Sequence, residues 1–489
     1  MGVAAAVVMV LTACAGGDAA GPPPAPTAEA VVPAPPLDAA ELEVYGGVAR
    51  VDLASSCTAS LVETGVDTAP AYLLTNGHCI GLDTGPANRT VVDEEGFGQA
   101  HFFAVAGAAE ADVLDVPVVR FEYGTMRGID VAVVRLDATL GELRAAGAVP
   151  LSVGAAVPAE GLDVVNIAAP TQNVMPEEWV LRKGECTLGA TADVIEGRWL
   201  WFDAPRNDCP GVLGGSSGSP LIAGGEIVAL LNTTNTGVPV ERGDTCYLGK
   251  PCEVDGDAAV FVPDTSYGTQ VAGVGDCFVD GVFALDGGCP LPVTTLWDID
   301  GGGIFGADGT DGIGLEPELA LRGDTAEEVA VIQNVALGDA SRCTDPVAYA
   351  DASRVTLVPD AEEPVVVPIT LPTENGFVLA CAAVPGQEQL AARFVFSIDA
   401  VPPAFGPQLL VEDVGDAIMI DPLFDLPDIS EIWMLYGSPD EVDCADRDAY
   451  ASYRRQPVFL DKSELPARFC AVGFDLAGNE SPITDQMVE

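Results

Sequence analysis

Short runs of apolar and β-branched residues, separated by turn residues, recur along residues 42–295. Runs of this length and composition predict β-strands, and no pattern with the period of a long α-helix lies between them. A chain with many short strands of this kind is expected to form β-barrels or β-sandwiches. The clearest predicted strands are Tyr72–Leu74, Val116–Phe121, Val131–Leu136, Val164–Ala168, Trp179–Leu181, Trp199–Phe202 and Ile227–Leu231.

The pattern changes at residues 296–315, where aspartate and glycine dominate. Because this stretch lacks a core-forming pattern, we interpret it as a flexible linker between domains. Oxygen-rich Asp/Gly loops can bind calcium, which is the alternative, but the spacing here does not complete an EF-hand loop.

The chain beyond this linker looks duplicated, with each half about the size of a small β-sandwich. The predicted sandwiches are residues 316–400 and 401–489, and one internal disulfide is expected in each. The ending Asp475–Asn479 resembles the final strand and turn of bacterial Ig-like or fibronectin-III-like modules. The repeated residues are Cys343, Tyr349 and Cys381 in one half, and Cys444, Tyr450 and Cys470 in the other.

The charge balance is strongly acidic, with 74 Asp and Glu residues against 21 Lys and Arg residues and a net charge of −53. Such a chain repels nucleic acid and anionic membrane surfaces, so neither is an expected partner. The acidic residues are scattered, and 48% of the residues are hydrophobic, which favours packed cores over a disordered acidic tail. We interpret the charge as a solvated surface, with attraction of cationic substrates as the alternative.

The first residues carry the pattern of an export signal. Residues 2–13 are almost wholly apolar, and the segment Leu11–Cys14 matches the bacterial lipobox. The apolar run is too short to span a bilayer as a stable helix. We therefore predict a lipoprotein signal peptide over residues 1–14, lipidation at Cys14 and an Ala/Pro-rich linker over residues 15–41. An ordinary signal peptide with a coincidental cysteine is the alternative.

Cysteine usage is typical of an exported protein. Setting Cys14 aside leaves an even number of cysteines, none of them in a Cys-x-x-Cys pair, and the chain has only 2 histidines. We therefore expect disulfides formed in an oxidising compartment and no metal or cofactor. Pairs that are close in the sequence are Cys186–Cys209, Cys246–Cys252 and Cys277–Cys289, but the sequence leaves the connectivity open.

Three segments place a histidine, an aspartate and a serine at the edges of predicted strands. His78 ends the apolar run that begins at Leu73, Asp130 opens a β-branched run, and Ser217 lies within Gly214–Pro220, which reads Gly-Gly-Ser-Ser-Gly-Ser-Pro. A serine among small residues can sit on a tight turn with its hydroxyl exposed and N–H groups pointing at one spot. Acyl transfer needs a nucleophile beside such donors.

In this order the three segments resemble those of the trypsin/chymotrypsin-like serine peptidases. The matching segments are Thr75–Cys79, Asp130–Val133 and Gly215–Pro220, and the last is closest to the G-x-S-G-S-P form of bacterial members. The resemblance covers about residues 42–280. It implies a peptidase domain of two β-barrels, placed at residues 42–295, and a C-terminal helix for which Ser266–Val274 is the candidate.

The resemblance also implies a role for each residue. Ser217 attacks the scissile carbonyl, His78 takes the hydroxyl proton and returns it to the leaving amine, and Asp130 fixes the imidazole tautomer. The backbone N–H groups of Gly215 and Ser217 form the oxyanion hole.

Two neighbouring features bear on this resemblance. Cys57 and Cys79 match the disulfide that flanks the histidine in the family. The aspartate that precedes the nucleophile in members activated by cleavage is replaced by Ser216. The usual salt bridge to a newly cut N-terminus is therefore not implied.

A rival interpretation places the nucleophile at Ser216, because Gly214–Gly218 also fits the G-x-S-x-G elbow of α/β-hydrolases. That fold places its histidine after the serine, whereas His78 and His101 both precede it. The elbow therefore lacks a base. Of the two histidines, His101 is interpreted as a structural strand residue.

The predicted fold is mainly β, a double β-barrel of trypsin-like type followed by two small β-sandwich domains. The predicted function is an exported serine endopeptidase in the bacterial cell envelope, lipid-anchored or secreted, acting on polypeptides as a monomer. The alternatives are an inactive protease fold used as a surface binding or adhesion protein, and an esterase with the same triad. The specificity stays open, since Asp208 before the nucleophile is interpreted as a surface residue rather than as a pocket floor.

Overall fold

The computed structural model describes residues 31–84, 88–238, 246–286, 288–293, 296, 298–323, 328–359, 361, 363–424 and 428–489. The predicted signal peptide with Cys14 and the first half of the predicted linker lie outside these residues. The fold is mainly β, with 46% strand and 11% helix, which confirms the predicted fold class. One compact unit contains the described residues up to Val401 together with Leu476–Asn479, and the other contains Pro402–Asp475 and Glu480–Glu489.

Several strands of the first barrel are buried on both faces, because one face packs in the barrel core and the other against a second apolar cluster. The strands of this barrel are β1 (Val48–Asp52), β2 (Ser56–Leu61), β3 (Pro70–Thr75), β4 (Thr90–Glu95), β5 (Gln99–Phe102), β6 (Leu114–Thr125) and β7 (Val131–Thr139). Their order is β4-β6-β5-β1-β2-β3-β7, and a second pairing of β6 with β7 closes six of them into a barrel. Apolar residues such as Leu73, Phe102 and Val134 fill its core.

The second barrel closes in the same way. Its strands are β8 (Ser152–Val153), β9 (Asp163–Ala168), β10 (Arg182–Glu196), β11 (Trp199–Asn207), β12 (Pro220–Ala223), β13 (Glu226–Thr234), β14 (Cys252–Asp255), β15 (Ala258–Phe261) and β16 (Ser266–Gln270). The order is β11-β16-β13-β12-β9-β10-β14-β15, and β10 also pairs with β11. A short hairpin of β17 (Phe278–Val279) and β18 (Val282–Phe283) follows.

Helices in this region are short. The α-helices are α1 (Leu42–Tyr45) and α2 (Leu140–Ala145), and single 3-10 turns include His78–Ile80, Pro176–Glu178 and Val274–Cys277. Thr139 caps helix α2: its hydroxyl accepts the N–H of Glu142, while the Glu142 carboxylate accepts the N–H of Thr139. Within the described residues, no helix has both the length and the apolar character needed to span a membrane.

Two predicted elements differ in the structure. The predicted helix Ser266–Val274 is wrong, because Ser266–Gln270 is strand β16 and pairs with both β11 and β13 to close the second barrel. The predicted strand Trp179–Leu181 lies instead between a 3-10 turn and the start of β10.

The end of the predicted N-terminal linker is packed against the second barrel. Leu37 is fully buried, and its N–H donates to the carbonyl oxygen of Leu181 at 2.8 Å. Arg182 donates through Nη1 to the carbonyl oxygen of Ala34 at 2.9 Å. This part of the Pro-rich segment therefore packs as an extended chain, because its apolar side chain Leu37 is buried in the core of the domain.

The first sandwich has two facing sheets. Its strands are β19 (Asp298–Gly301), β20 (Gly303–Phe305), β21 (Glu318–Arg322), β22 (Glu328–Ala336), β23 (Ser353–Thr356), β24 (Val365–Pro368), β25 (Gly376–Ala383) and β26 (Ala392–Ile398), arranged as β19-β21-β24 and β20-β26-β25-β22-β23. Leu319 and Leu321 of one sheet pack with Phe394 and Phe396 of the other. The stretch predicted as a flexible Asp/Gly-rich linker supplies β19 and β20.

The second sandwich has the same plan. Its strands are β27 (Gln408–Asp413), β28 (Ala417–Leu423), β29 (Glu431–Gly437), β30 (Ala451–Ser452), β31 (Val458–Asp461), β32 (Ala467–Phe474) and β33 (Thr484–Val488), arranged as β27-β28-β31 and β30-β29-β32-β33. The 3-10 turns of the two sandwiches are Leu337–Thr344, Pro346–Tyr349, Glu388–Leu390, Arg447–Ala449 and Lys462–Glu464.

Six disulfides join the pairs named from the sequence: Cys57–Cys79, Cys186–Cys209, Cys246–Cys252, Cys277–Cys289, Cys343–Cys381 and Cys444–Cys470. Each sandwich also contains an equivalent internal tyrosine hydrogen bond. Tyr349 donates its hydroxyl to the carbonyl oxygen of Cys343 at 2.8 Å, and Tyr450 donates to that of Cys444 at 2.9 Å. The repeated contact agrees with duplication. The domain boundaries inferred from the sequence stay predictions.

Candidate active site

His78 and Asp130 meet at the end of the first barrel. His78 opens a 3-10 turn just after β3, and Asp130 immediately precedes β7, the strand that pairs with β3. Nδ1 of His78 lies 2.7 Å from Oδ2 of Asp130. The adjacent strands therefore bring together two residues that are 52 positions apart in the chain.

The Asp130 carboxylate is fully buried and held from several directions. Oδ1 accepts the backbone N–H groups of Gly77 at 2.6 Å and of His78 at 3.1 Å. Asn76 donates from Nδ2 to the Asp130 carbonyl oxygen at 2.8 Å. These bonds fix the carboxylate, so Oδ2 is aimed at the imidazole and a proton on Nδ1 is the favoured tautomer.

Ser217 lies on a tight turn between β11 and β12 of the second barrel. Gly215 has φ of +100°, and a Cβ atom there would lie 2.7 Å from the backbone nitrogen of Thr171. Gly218 has φ of +77°, and a Cβ atom there would overlap Oγ1 of Thr75. Only glycine avoids both the backbone strain and the clash at these positions. The small residues of this segment are therefore required by the turn itself.

Thr58 of β2 connects the first barrel to this turn. Its hydroxyl donates to the carbonyl oxygen of Gly215 at 2.8 Å and accepts the N–H of Ala169 at 2.9 Å. Its own N–H donates to the carbonyl oxygen of Ser217 at 2.8 Å. Thr58 is fully buried and was not singled out from the sequence, where it is one of many strand threonines.

The two adjacent serines have different surroundings. Ser216 is 1% exposed, and its hydroxyl accepts the N–H of Leu213 at 3.3 Å. Ser217 is partly exposed, and its hydroxyl donates to the carbonyl oxygen of Asn232 at 3.4 Å. Within the described chain the Ser217 hydroxyl makes no hydrogen bond to His78. Ser217 is nonetheless the more accessible of the two serines.

The N–H groups of Gly215 and Ser217 are free of hydrogen bonds within the described residues, whereas their neighbours are bonded. Ser216 donates its N–H to the carbonyl oxygen of Leu213 at 2.9 Å, and Gly218 donates to that of Leu231 at 2.9 Å. The two N–H groups predicted for the oxyanion hole are therefore not used in hydrogen bonds within the described residues.

A buried glutamate, which the sequence did not single out, lies near this site. Glu196 ends β10, is 3% exposed, and accepts the N–H of Gly249 through Oε1 at 2.5 Å. Its Oε2 has no hydrogen-bond partner among the described residues. Burial raises the pKa of Glu196 to about 7, although Gly249, the Thr233 hydroxyl and the charge of His78 oppose the rise.

The His78 ring is partly buried, with 20% of the side chain exposed. Burial lowers the pKa of His78, but the charge and hydrogen bond of Asp130 outweigh it, with smaller contributions from Asp83 and Glu196. The pKa of His78 is therefore raised above its usual value. The raised pKa makes the imidazole of His78 a stronger base.

The other candidates from the sequence lie elsewhere. His101 is on β5, where Nδ1 lies 2.6 Å from Asp115 and Nε2 lies 3.1 Å from Asp52, so both ring nitrogens are used in the barrel wall. Asp208 is exposed and accepts the N–H of Thr187 at 2.6 Å. Both agree with the structural roles expected for them.

Sulfur atoms of Cys57 and Cys79 lie within 4.8 Å of a ring nitrogen of His78. They are joined to each other as a disulfide and are not thiolates that could bind a metal ion. The bridge instead ties the turn that carries His78 to strand β2.

Comparison with known proteins identifies one region. Residues 57–230 match the family model described as the trypsin-like peptidase domain. These residues contain a trypsin-like peptidase domain. The match contains His78, Asp130 and Ser217; it begins within β2 and ends within β13, so β1 and β14–β16 lie outside it. The chain matches no curated protein.

Proposed function

We propose that this protein is a serine endopeptidase that hydrolyses polypeptides through His78, Asp130 and Ser217. The observation that carries the proposal is the 2.7 Å contact of His78 Nδ1 with the buried Asp130 carboxylate, within a trypsin-like peptidase domain. With Nδ1 held by a carboxylate, Nε2 is the nitrogen left to accept a proton.

The chemistry proceeds in two halves. The Ser217 oxygen attacks the substrate carbonyl carbon while His78 takes the hydroxyl proton, and the N–H groups of Gly215 and Ser217 bind the resulting oxyanion. His78 then protonates the leaving amine, which leaves an acyl-enzyme on Ser217. Water, deprotonated by His78, releases the acid product and restores the serine.

One observation favours a second candidate, an inactive protease fold that binds surface partners. The Ser217 hydroxyl is bonded to Asn232 rather than to His78. Catalytic hydrogen bonds are often long or misaligned in the absence of substrate, so the bond of Ser217 to Asn232 does not by itself decide against the enzyme. We favour the enzyme because the oxyanion donors are left free on the same turn, as far as the described residues extend.

Labelling by a fluorophosphonate probe tests the proposal, with Ser217→Ala and Ser216→Ala as the matched variants. We expect labelling of the parent and of Ser216→Ala, and none of Ser217→Ala. No labelling of the folded parent would instead support the binding protein. Turnover of a peptide library against simple esters then separates an endopeptidase from an esterase and gives the specificity.

We further propose export and lipid anchoring at Cys14 in a bacterial cell envelope, with the two sandwiches as Ig-like spacers or binding modules. Six disulfides fit an extracytoplasmic protein. Incorporation of labelled palmitate by the full chain, and its loss in Cys14→Ser, tests the anchor. A Cys14→Ser protein that keeps the label contradicts it.

A further inference from the structure

A small cavity lies where the peptidase region meets the first sandwich. Its volume is about 70 Å³, and its lining includes Asn88, Arg127 and Phe202 from the peptidase side with Gln389 and Arg393 from the sandwich side. The described residues on both sides belong to the same compact unit. The cavity therefore brings two arginines from distant parts of the chain to one place.

The two guanidinium groups have buried N–H donors for which the described residues supply no acceptor. Arg127 donates from Nη2 to the carbonyl oxygen of Leu390 at 2.5 Å, but its buried Nη1 has no partner among those residues. Arg393 lies over the ring of Phe202, 4.4 Å from its centroid, and its buried Nε is likewise unpaired within the same part of the chain. Leaving a buried charged donor unpaired is costly, so these atoms need an acceptor.

No carboxylate in the described part of the chain forms an ion pair with either arginine. This is unexpected in a protein with 74 acidic residues and only 21 basic ones. Other arginines of the same region do find carboxylates, for example Arg198 with Asp300 at 2.9 Å and Arg206 with Glu253 at 2.5 Å. The lack of an ion-paired carboxylate at Arg127 and Arg393 is therefore a local feature of these described residues, although the charge of Asp193 acts on Arg393.

The like charges also affect each other. Burial lowers the pKa of Arg127 to about 10, and the nearby charge of Arg393 adds to the decrease. Burial lowers the pKa of Arg393 as well. Because a guanidinium group is not deprotonated in proteins, two positive charges share a small, partly enclosed space.

We propose that this cavity binds a small oxyanion, such as phosphate or sulfate, between Arg127 and Arg393. Guanidinium groups donate charge-assisted hydrogen bonds to oxyanions, and a tetrahedral anion offers acceptors in several directions at once. The overall negative field of the protein does not prevent this, because charges farther away than about 8 Å are largely screened at physiological salt.

The bound oxyanion links the sandwich to the segment that precedes Asp130. Arg127 is in the loop between β6 and β7, and the next residue, Gly128, accepts the N–H of Phe202 at 3.0 Å. Arg393 is on β26. Occupancy of the cavity therefore stabilises the association of the first sandwich with the peptidase region.

Titration calorimetry of the full chain with phosphate and with sulfate, against chloride at equal ionic strength, tests the proposal. We expect one site per chain for phosphate and sulfate, and an unfolding midpoint that rises with their concentration. Arg393→Gln is expected to abolish both effects. Arg354→Gln, which removes an exposed arginine paired with Glu328, is the matched control and is expected to keep them.

Each result decides the proposal. Saturable binding that is lost in Arg393→Gln and in Arg127→Gln, but kept in Arg354→Gln, supports it. No binding to the folded parent, or equal binding by the parent and a folded Arg393→Gln, overturns it. Tighter binding of acetate than of phosphate overturns the assignment to a tetrahedral oxyanion and indicates a carboxylate ligand. Circular dichroism of each variant identifies those that fold.

Discussion

The hydroxyl of Ser217 donates to the backbone carbonyl oxygen of Asn232 at 3.4 Å. This is long for an O–H···O hydrogen bond, whose usual range is about 2.5–3.0 Å, so the bond is weak and easily exchanged. Asn232 is on β13. The neighbouring residue on that strand, Leu231, accepts the N–H of Gly218 through its carbonyl oxygen. The structure thus holds the serine turn firmly and the serine hydroxyl loosely, which fits the nucleophile role proposed for Ser217.

Replacing Asp130 by asparagine tests the orientation of His78. The amide oxygen of the new side chain can still accept the N–H groups of Gly77 and His78, so we expect the fold to be kept. The amide nitrogen no longer accepts from Nδ1, which favours the wrong tautomer, and kcat is expected to fall by about 10⁴-fold. Peptide turnover gives kcat, and thermal unfolding confirms that the variant is folded.

Asp208→Asn is the matched control for this experiment. Asp208 is exposed and accepts one backbone N–H from Thr187, which asparagine can also accept. We expect kcat to stay within a factor of about two, since surface substitutions away from special contacts have small effects. A similar loss of kcat in both variants, or less than a tenfold loss in Asp130→Asn, contradicts the role given to Asp130.

The sequence predicted much of this fold because short apolar, β-branched runs and turn residues are local signals. The runs around Leu73 and Val133 are strands of the first barrel, and the glycines beside Ser217 are required by the turn. Ser266–Gln270 was missed as a strand because its place in the barrel depends on β11 and β13, which are distant in the sequence.

Residues that act through tertiary contacts carried no sequence signal. Glu196 is one of 74 acidic residues, and only the closure of the second barrel buries it. Leu37 and Ile299 are isolated apolar residues in Pro-rich and Asp/Gly-rich stretches, yet each is fully buried. The composition of a stretch does not reveal that a single apolar residue in it is buried, so the sequence indicates a linker in both places.

Glu196→Gln is expected to change the pH dependence of catalysis. Glu196 is ionised at pH values around and above its pKa of about 7, and there its negative charge contributes to the raised pKa of His78, so its removal lowers that pKa. His78 must be neutral to accept the serine proton, and a lower pKa keeps it neutral in more acidic solution. The acid limb of the kcat/KM profile is therefore expected to move to lower pH.

Glu185→Gln on the same strand is the control for the pH profile. Its side chain is 80% exposed, so its charge is screened by solvent. The acid limb is expected to stay in place. An unchanged acid limb in Glu196→Gln, or equal movement in both variants, argues against electrostatic coupling between Glu196 and His78.

The same substitution is expected to change stability with pH. The pKa of Glu196 is raised from 4.5 to about 7, so the folded state keeps its proton in a range where the unfolded chain has lost it. The free energy of unfolding therefore falls as pH rises from about 4.5 to 7, by roughly 3 kcal/mol at most at 1.36 kcal/mol per unit. Because glutamine does not ionise, the free energy of unfolding of Glu196→Gln is not expected to show this fall.

Denaturant unfolding in a Ser217→Ala background, which prevents self-digestion, measures this effect. We expect Glu196→Gln to be more stable than its parent at pH 8.5, with a smaller difference at pH 4.5. Glu185→Gln again serves as the control and is expected to follow the parent. A difference that is the same at both pH values assigns the effect to packing rather than to ionisation.

The Cys57–Cys79 disulfide is expected to matter for catalysis as well as for stability. It closes a segment with a sequence separation of 22 residues and holds the residue next to His78. Loss of the bridge in Cys57→Ser/Cys79→Ser is expected to destabilise the protein by about 3 kcal/mol on chain-entropy grounds. We also expect a lower kcat, because the turn that aims the imidazole loses its tie to β2.

The Cys343–Cys381 disulfide provides the comparison, since it closes a segment with a separation of 38 residues in the first sandwich. Its removal by serine substitution is expected to destabilise by about 4 kcal/mol on the same grounds, yet to leave kcat unchanged at temperatures where the protein is folded. Thermal unfolding and peptide turnover, measured on both double variants, separate the two effects. The sandwich cysteines lie in a different core from Cys57 and Cys79. An equal fall in kcat in the two double variants would therefore mean that the bridge near His78 acts only through global stability.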